Sequence, residues 1–246
     1  MNCQPQWIRL VYIWLINNQT CLLCDQRCTG PLPLCCSCEL ELPWLSEGCL
    51  RCALPLPMAG LQCGHCIKQP PAYARVHAPW VYDFPIASLI NRFKHNSKWP
   101  YGRLLAELLS QSLLDRFNAG HSRPDILLPV PLSARRLRER GYNQASMLGQ
   151  WLCKRLHIAC CDQWLLRTQD TPAQQALDAK ARKHNLLQAF SLSPQANVRG
   201  LHVALVDDVV TTGATAQSLA RLLLKAGARR VDVYCLARTP KPGGPS

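Results

Sequence analysis

Long apolar runs are scarce in this chain, and their scarcity excludes a membrane-spanning protein. A bilayer span takes ~20 apolar residues in succession. The nearest approach, Trp7-Ile8-Arg9-Leu10-Val11-Tyr12-Ile13-Trp14-Leu15-Ile16, is short and carries Arg9 inside it. The polar Asn17-Asn18-Gln19-Thr20 that follows offers no small-residue cleavage site, so the run does not read as a secretion signal. Residues 1–19 are expected to be a docked or loose N-terminal extension, residues 241–246 a short tail, and the protein cytoplasmic, with no membrane insertion. Charge is also thin, at 17% against 48% hydrophobic residues, which excludes wholesale disorder. Acidic residues are the scarcest: 15 Asp and Glu against 28 Lys and Arg in 246 residues, a net +13. That deficit is local. Residues 1–72 hold four charges of each sign, whereas residues 73–246 hold 24 basic and 11 acidic ones. The later part is therefore expected to meet a polyanion, either a phosphorylated small molecule or nucleic acid.

Cysteine is abundant at one end only. Eleven of the 15 lie at or before Cys66, and Cys153, Cys160, Cys161 and Cys235 follow. Eight form a ladder of Cys-x-x-Cys pairs (Cys21/Cys24, Cys35/Cys38, Cys49/Cys52, Cys63/Cys66), each beginning fourteen residues after the last. Two thiolates three positions apart on a tight turn can face one ion. Two such turns complete a tetrahedral shell with sulfur at about 2.3 Å and no position left for water. Eight ligands thus predict two structural Zn²⁺ ions over residues 20–68, with sequential pairing of the knuckles preferred to nested or crossed pairing. Pro31, Pro33, Pro43, Pro55, Pro57 and scattered leucines between the knuckles cannot make a core. Metal binding, on the order of 10–16 kcal/mol apparent, would supply most of the folding free energy there. Disulfides suit a secreted chain, and a redox dithiol stands singly beside a βαβ unit. Cys3, Cys28 and Cys36 fall outside the period and read as spare thiols; His65 lies in a knuckle whose ligands are already supplied.

Beyond a linker over residues 69–79, strands and helices alternate. Asp125-Ile126-Leu127-Leu128-Pro129-Val130 suits a strand buried on both faces, stopped early by Pro129. Residues 143–156 place Met147, Leu148, Trp151, Leu152 and Leu156 at helical spacing. Residues 201–206 read as a second buried strand, 214–226 as a helix ended by Gly227, and 231–236 as a third strand. Such alternation predicts a parallel sheet with right-handed crossovers and a ligand at the carboxyl ends of its strands.

The most informative stretch is Val206-Asp207-Asp208-Val209-Val210-Thr211-Thr212-Gly213-Ala214-Thr215. Read physically, a strand ends in two carboxylates and a hydroxyl- and glycine-bearing turn opens a helix. Gly213 lets backbone approach a ligand, and the N–H groups of 212–215 with the hydroxyls of Thr211, Thr212 and Thr215 make a cup for one phosphate. Two upstream carboxylates would repel that phosphate but accept hydrogen bonds from a diol a sugar's width away. Together they describe a ribose 5-phosphate. The plainer possibility is a solvated acidic turn.

This stretch resembles the phosphoribosyl-pyrophosphate (PRPP) signature of type I phosphoribosyltransferases. The wider pattern is similar to the ComF/GntX family from Cys21 onward. It includes the double zinc ribbon, Phe93-Lys94, Val130-Pro131-Leu132, Arg135-Arg136-Leu137-Arg138-Glu139-Arg140-Gly141-Tyr142-Asn143-Gln144, and Arg167-Thr168 through Gln174 to Arg182, Asn185 and Phe190. The resemblance implies an α/β fold: a type I phosphoribosyltransferase-like parallel sheet flanked by helices over residues 80–240, with hood helices over 80–120, preceded by the small double ribbon. It implies that Asp207 and Asp208 hold the ribose hydroxyls and act in catalysis, and that Val209, Val210, Thr211, Thr212, Gly213, Ala214 and Thr215 complete the PRPP site. Val130, Pro131 and Leu132 would form the pyrophosphate loop, with Arg135, Arg136 and Arg140 candidates for contacting the diphosphate or a second anion. Lys180, Arg182 and Lys183 would sit on a flexible flap, and Mg²⁺ would arrive with PRPP.

Three functions follow from this resemblance. One is a PRPP-dependent transferase of unnamed acceptor, acting in uptake or utilisation of external DNA. A second is a non-catalytic accessory or PRPP sensor that binds single-stranded DNA and docks a helicase-like or recombination-mediator protein. A third, a PRPP-sensing transcriptional regulator, lacks a helix-turn-helix. The arginines of 135–140 also fit an exposed helix face or a nucleic-acid patch, and Lys180, Arg182 and Lys183 fit solvated surface. His77, His95, His121, His157, His184 and His202 have no ligand partner at useful spacing and read as structural. Trp80, Trp99, Trp151 and Trp164 read as core, and Tyr142 as the best aromatic for stacking.

Overall fold

The buried apolar runs of residues 126–129, 203–206 and 231–237 become neighbouring strands in the computed structural model, which describes residues 19–28, 30–95, 98–168 and 189–241. The chain forms two compact units, Met1–Pro43 and Trp44–Ser246. The first holds the opening cysteine knuckles, a bridge between Thr20 and Arg27, and the short helix α1 (Cys36–Leu40). The second begins with the later knuckles and α2 (Gly64–Lys68). Strands β1 (Arg75–His77) and β2 (Trp80–Val81) and helices α3 (Ile86–His95) and α4 (Trp99–Asn118) follow. After them come β3 (Ile126–Pro129), α5 (Ala134–Arg140), α6 (Gln144–Leu156), β4 (Ala159–Cys160) and the antiparallel pair β5 (Leu165–Arg167) and β6 (Phe190–Leu192). Strand β7 (His202–Val210), α7 (Ala214–Lys225) and β8 (Arg230–Arg238) complete the described residues.

The main sheet is parallel, in the order β1-β8-β7-β3-β4, with β2 also along β8. Side chains alternate across it. Val203, Leu205, Val231, Val233 and Cys235 share one core with Leu219 and Leu223 of α7 and with Cys49, Cys52, Cys63 and Cys66. The second knuckle pair is therefore part of that core, and Val76 of β1 donates its N–H to the Arg51 carbonyl at 2.7 Å. Two glycines set helix spacing. A Cβ on Gly102 of α4 would stand 2.5 Å from the Phe93 ring of α3, and one on Gly149 of α6 would stand 2.7 Å from Pro129 Cγ of β3.

The helices over 143–156 and 214–226 and the early stop at Pro129 appear as expected. Three expectations, on the lengths of two strands and on Trp99, are corrected. The strand expected over 201–206 runs on to Val210, because Cys235, Leu236 and Ala237 of β8 are fully buried and extend the ladder through Asp207↔Cys235 and Val209↔Ala237 to Val210↔Arg238. The 231–236 strand likewise runs from Arg230 to Arg238. The stretch 69–79 contains β1, held in register against β8 at Arg75↔Asp232. Trp80 is fully buried, tilted against Trp44 at 5.4 Å, but Trp99 is 56% exposed because it opens α4 ahead of the buried Leu104, Leu105, Leu108 and Leu109. No described helix is long and apolar enough to cross a membrane.

Candidate functional site

Pairing of Pro129 with Val206 sets the turn after β3 beside Asp207 and Asp208, with the turn after β7 opening four residues further along, both at the carboxyl ends of these neighbouring strands. On the β7 side, Gly213 takes a left-handed φ of 78° and caps α7. The positive φ calls for glycine, and a Cβ there would also press on Tyr73 Oη at 3.0 Å. Thr212 Oγ1 accepts the Ala214 N–H at 3.3 Å. Among the described residues, the N–H groups of Thr212, Gly213, Thr215 and Ala216 have no protein acceptor. Thr211 and Thr212 are exposed and Thr215 is half-buried. Open donors at a helix start can receive an anion.

The acid pair precedes this cup. Within a strand, consecutive side chains leave opposite faces, so Asp207 and Asp208 do not lie in parallel as two residues of one turn would. Asp208 Oδ2 receives Lys94 Nζ of α3 at 3.1 Å, with both side chains 15% exposed. Asp207 Oδ1 accepts the Asp208 N–H at 2.9 Å. Burial and then the Asp208 charge push the Asp207 carboxyl up to about 7, against the opposing pull of the Asp208 N–H, Lys94 and Arg136. Lys94 pairs with only one of the two carboxylates, which leaves local negative charge and hard oxygen donors of the kind Mg²⁺ takes.

On the β3 side, Val130 is buried, donates its N–H to the Val206 carbonyl at 2.9 Å, and accepts Asn143 Nδ2 at 3.0 Å. Pro131 and Leu132 are half-buried, and buried Ser133 caps α5 by accepting the Arg136 N–H. The three arginines expected beside this loop diverge. Arg135 reaches back to Glu139 at 2.8 Å with its side chain 73% exposed. Arg136 is the one whose charge is felt at Asp207, while that of Arg140 is felt at Glu139 and Tyr142. Tyr142 is no free stacking platform: its hydroxyl donates to the Phe93 carbonyl and its ring lies 5.9 Å from the Phe93 ring. Lys180, Arg182 and Lys183 lie outside the described residues.

Two residues central to this geometry escaped assignment from sequence. Lys94 belongs to the Phe93-Lys94 pair, and nothing in the local sequence says that α3 aims it at Asp208. Arg238, 6% exposed, fastens the cup from below. Its Nη1 donates to the carbonyls of Val210 (3.2 Å), Thr211 and Thr239 (2.7 Å), and its Nε to the Cys52 carbonyl at 2.9 Å. No local motif marks it; the only hint is a cation ending a buried strand.

The cysteines gather sequentially, as Cys21, Cys24, Cys35 and Cys38, and as Cys49, Cys52, Cys63 and Cys66, with every sulfur within 4.8 Å of the others in its group. Cys24–Cys35 and Cys52–Cys63 stand 3.7 Å apart. That is far beyond a disulfide and equals the edge of a tetrahedron, about 3.8 Å, for Zn–S bonds of about 2.3 Å. Burial raises Cys21 and Cys49, but backbone N–H donors outweigh it and bring them down to about 6 and about 7. Burial and then neighbouring thiols push Cys38 and Cys66 up. Full ionisation thus calls for a dication, and both groups fit structural zinc. Cys28, a spare thiol, is buried and donates to the Gln26 carbonyl.

Comparison with known proteins agrees with this geometry. Residues 167–246 match the model described as "Phosphoribosyl transferase domain". "DNA utilization protein YhgH" of Salmonella typhimurium is 40% identical over 192 residues, covering 78% of this chain and 84% of that protein. "Competence protein F" of Haemophilus influenzae is 36% identical over 207 residues, 83% of this chain and 90% of that protein. "Competence protein ComFC" of Bacillus subtilis is 26% identical over 250 residues, 91% and 97% of the two chains. With two tetra-cysteine knuckles ahead of a phosphoribosyltransferase-type sheet, this chain belongs to the ComF/GntX family.

Proposed function

We propose that this protein binds PRPP at the shared edge of β3 and β7 and serves the utilisation of external DNA. What carries the reading is the adjacency of an open N–H cup, an acid pair and a basic loop on neighbouring strands. In this reading the 5-phosphate rests on Thr211–Thr215, the ribose hydroxyls donate to Asp207 and Asp208, and the diphosphate lies along Val130-Pro131-Leu132 toward Arg136. Mg²⁺, once bound with PRPP, supplies charge neutralisation to the diphosphate and ribose oxygens. Lys94, released from Asp208 when the diol takes its place, is positioned to follow the negative charge to the diphosphate. Transfer then consists of diphosphate leaving the anomeric carbon through an oxocarbenium-like state while an acceptor enters. Positioning and charge complementarity supply the catalysis, with no covalent nucleophile. The relatives' names and the basic excess of residues 73–246 support the DNA role.

Titration of PRPP with Mg²⁺ against the wild type and an Asp207→Asn/Asp208→Asn variant tests the site. Binding is expected in the first and not in the second; equal binding overturns the assignment. A diphosphate-release screen over free bases then tests transfer. The Lys94–Asp208 ion pair favours a second reading, a sensor that docks a helicase-like or recombination-mediator partner, since PRPP must break a bond to the hood. PRPP binding without diphosphate release under any acceptor would favour it. In either case the exposed Arg135, Arg136 and Arg138 offer phosphate contacts, and their replacement by Ala should weaken single-stranded DNA binding and flatten its salt dependence.

A further inference from the structure

A second basic site lies toward the amino ends of the strands, where nothing in the proposed reaction reaches. Arg75 and His77 of β1 pair in register with Asp232 and Tyr234 of β8. The last turns of α4 cover them with Arg116 and Phe117, and a small solvent-open cleft remains between. His202 of β7 pairs with Arg230, so this cleft sits at the start of β7, whereas the PRPP cup lies beyond its end. Nine residues at about 3.3 Å each separate the two along the strand.

Charge in the cleft is unbalanced. Three guanidinium groups, Arg75, Arg116 and Arg230, meet one carboxylate. Asp232 is already engaged, accepting Arg230 Nε at 3.1 and 3.2 Å and facing His202 Nε2 at 2.9 Å, while His202 Nδ1 faces the Arg123 carbonyl. The imidazoles add no compensating negative charge. His77 is held neutral near Ser112 Oγ, with burial pushing it down to about 3, and His121 is lowered by burial and then by Arg116 and Arg75. Among the described residues, Arg75 Nη1 meets the His121 ring nitrogen at 3.4 Å and no carboxylate.

Two groups then stand without partners among the described residues. The Arg116 side chain, half-buried, makes no hydrogen bond or ion pair. The Tyr234 hydroxyl, on a residue 4% exposed that lines the cleft, makes no hydrogen bond. Neither donor is sealed from water, so solvent serves both in the free protein. One acceptor-rich anion would satisfy both. Two unmatched positive charges, two idle donors and the apolar wall of Phe117 fit a tetrahedral dianion carrying an organic group. We propose that this cleft is a second binding site, for the phosphate of a small phosphate monoester. Its oxygens are received by Arg75, Arg116 and Tyr234, and it is independent of the PRPP cup.

The test follows the His121 and Tyr234 ring resonances of the full chain by NMR while inorganic phosphate, and separately a deoxynucleoside 5′-monophosphate, is added. Both probes are expected to give saturable shifts at these two rings. The nucleotide is expected to bind more tightly if the phosphate of an organic ester is the intended ligand; equal affinities identify inorganic phosphate as the source of the same chemistry. Arg116→Gln is expected to weaken binding roughly tenfold to a hundredfold, the range for a lost charge-assisted hydrogen bond. Arg116→Lys should recover part of the loss, and Tyr234→Phe, which keeps the packing, should weaken it severalfold. PRPP binding should remain at the wild-type level in Arg116→Gln, which separates failure of this site from failure of the PRPP site. Absence of shifts at both rings at millimolar phosphate, or shifts unaffected by Arg116→Gln, overturns the proposal. So does an equal response to an oligonucleotide with a 5′-hydroxyl end, which would make the cleft a general polyanion surface.

Discussion

Asp207 is the side chain on which chemistry and stability pull in opposite directions. Its carboxyl ordinarily titrates near 3.8, but burial and Asp208 raise it to about 7. A carboxyl raised on folding favours the folded state while protonated, and that advantage disappears as pH rises from about 4 through about 7. Asp207→Asn keeps an oxygen for the Asp208 N–H and removes the charge. The variant is therefore expected to be more stable than the wild type at pH 8, by on the order of 1–3 kcal/mol, with the gain vanishing by about pH 4. Denaturant melts across that range check it; a destabilised variant at pH 8 would mean the carboxylate is well accommodated in the free protein. A buried carboxyl shifted this far is a candidate ligand group. The type of residue at 207–215 was readable from sequence because the cup is local: glycine, hydroxyls and a helix start lie within nine positions. Lys94 was not, since its partner is more than a hundred positions away and only the packing of α3 joins them.

Helices and turns are placed by close contacts that substitutions should expose. Gly102→Ala puts a methyl into the Phe93 ring, beside Lys94, and should cost roughly 1–3 kcal/mol as the α3–α4 pair opens. Thermal melts read the loss, and an unchanged midpoint would show that Phe93 has room to move. Arg238→Lys retains charge but cannot span the Cys52, Val210 and Thr211 carbonyls together. Zinc content should stay at two per chain while PRPP affinity falls; wild-type affinity would show that the cup holds its shape without this tether. Strand positions were readable from apolar runs, but their ends were not. Asp207 and Asp208 look like a terminus in isolation, and only the buried partner strand β8 carries the ladder past them. Helix α5 illustrates the same limit, because an arginine-rich run does not disclose which of its charges is felt at Asp207.

Across the whole chain, the two cysteine groups resemble each other in spacing and differ in setting. The second is buried throughout and shares a core with β1, β8 and α7, whereas Cys24 of the first is exposed and that group lies in a separate unit. Metal analysis is expected to give two zinc per chain. Cys49→Ser/Cys52→Ser should bring down the cooperative unfolding of the sheet, while Cys21→Ser/Cys24→Ser should leave that transition in place and lose one zinc. Equal damage from both pairs would contradict the division. A regular ladder announces two metal centres in sequence; that one of them is built into the sheet's core depends on tertiary packing and could not be read from spacing. The measurement that bears hardest on the functional reading is a crystal structure with PRPP and Mg²⁺. It should show the 5-phosphate on the N–H groups between Thr212 and Ala216, the ribose hydroxyls on Asp207 and Asp208, and Lys94 moved off Asp208. A ligand bound elsewhere, with the Lys94–Asp208 pair intact, would remove the basis for both the transferase and the sensor.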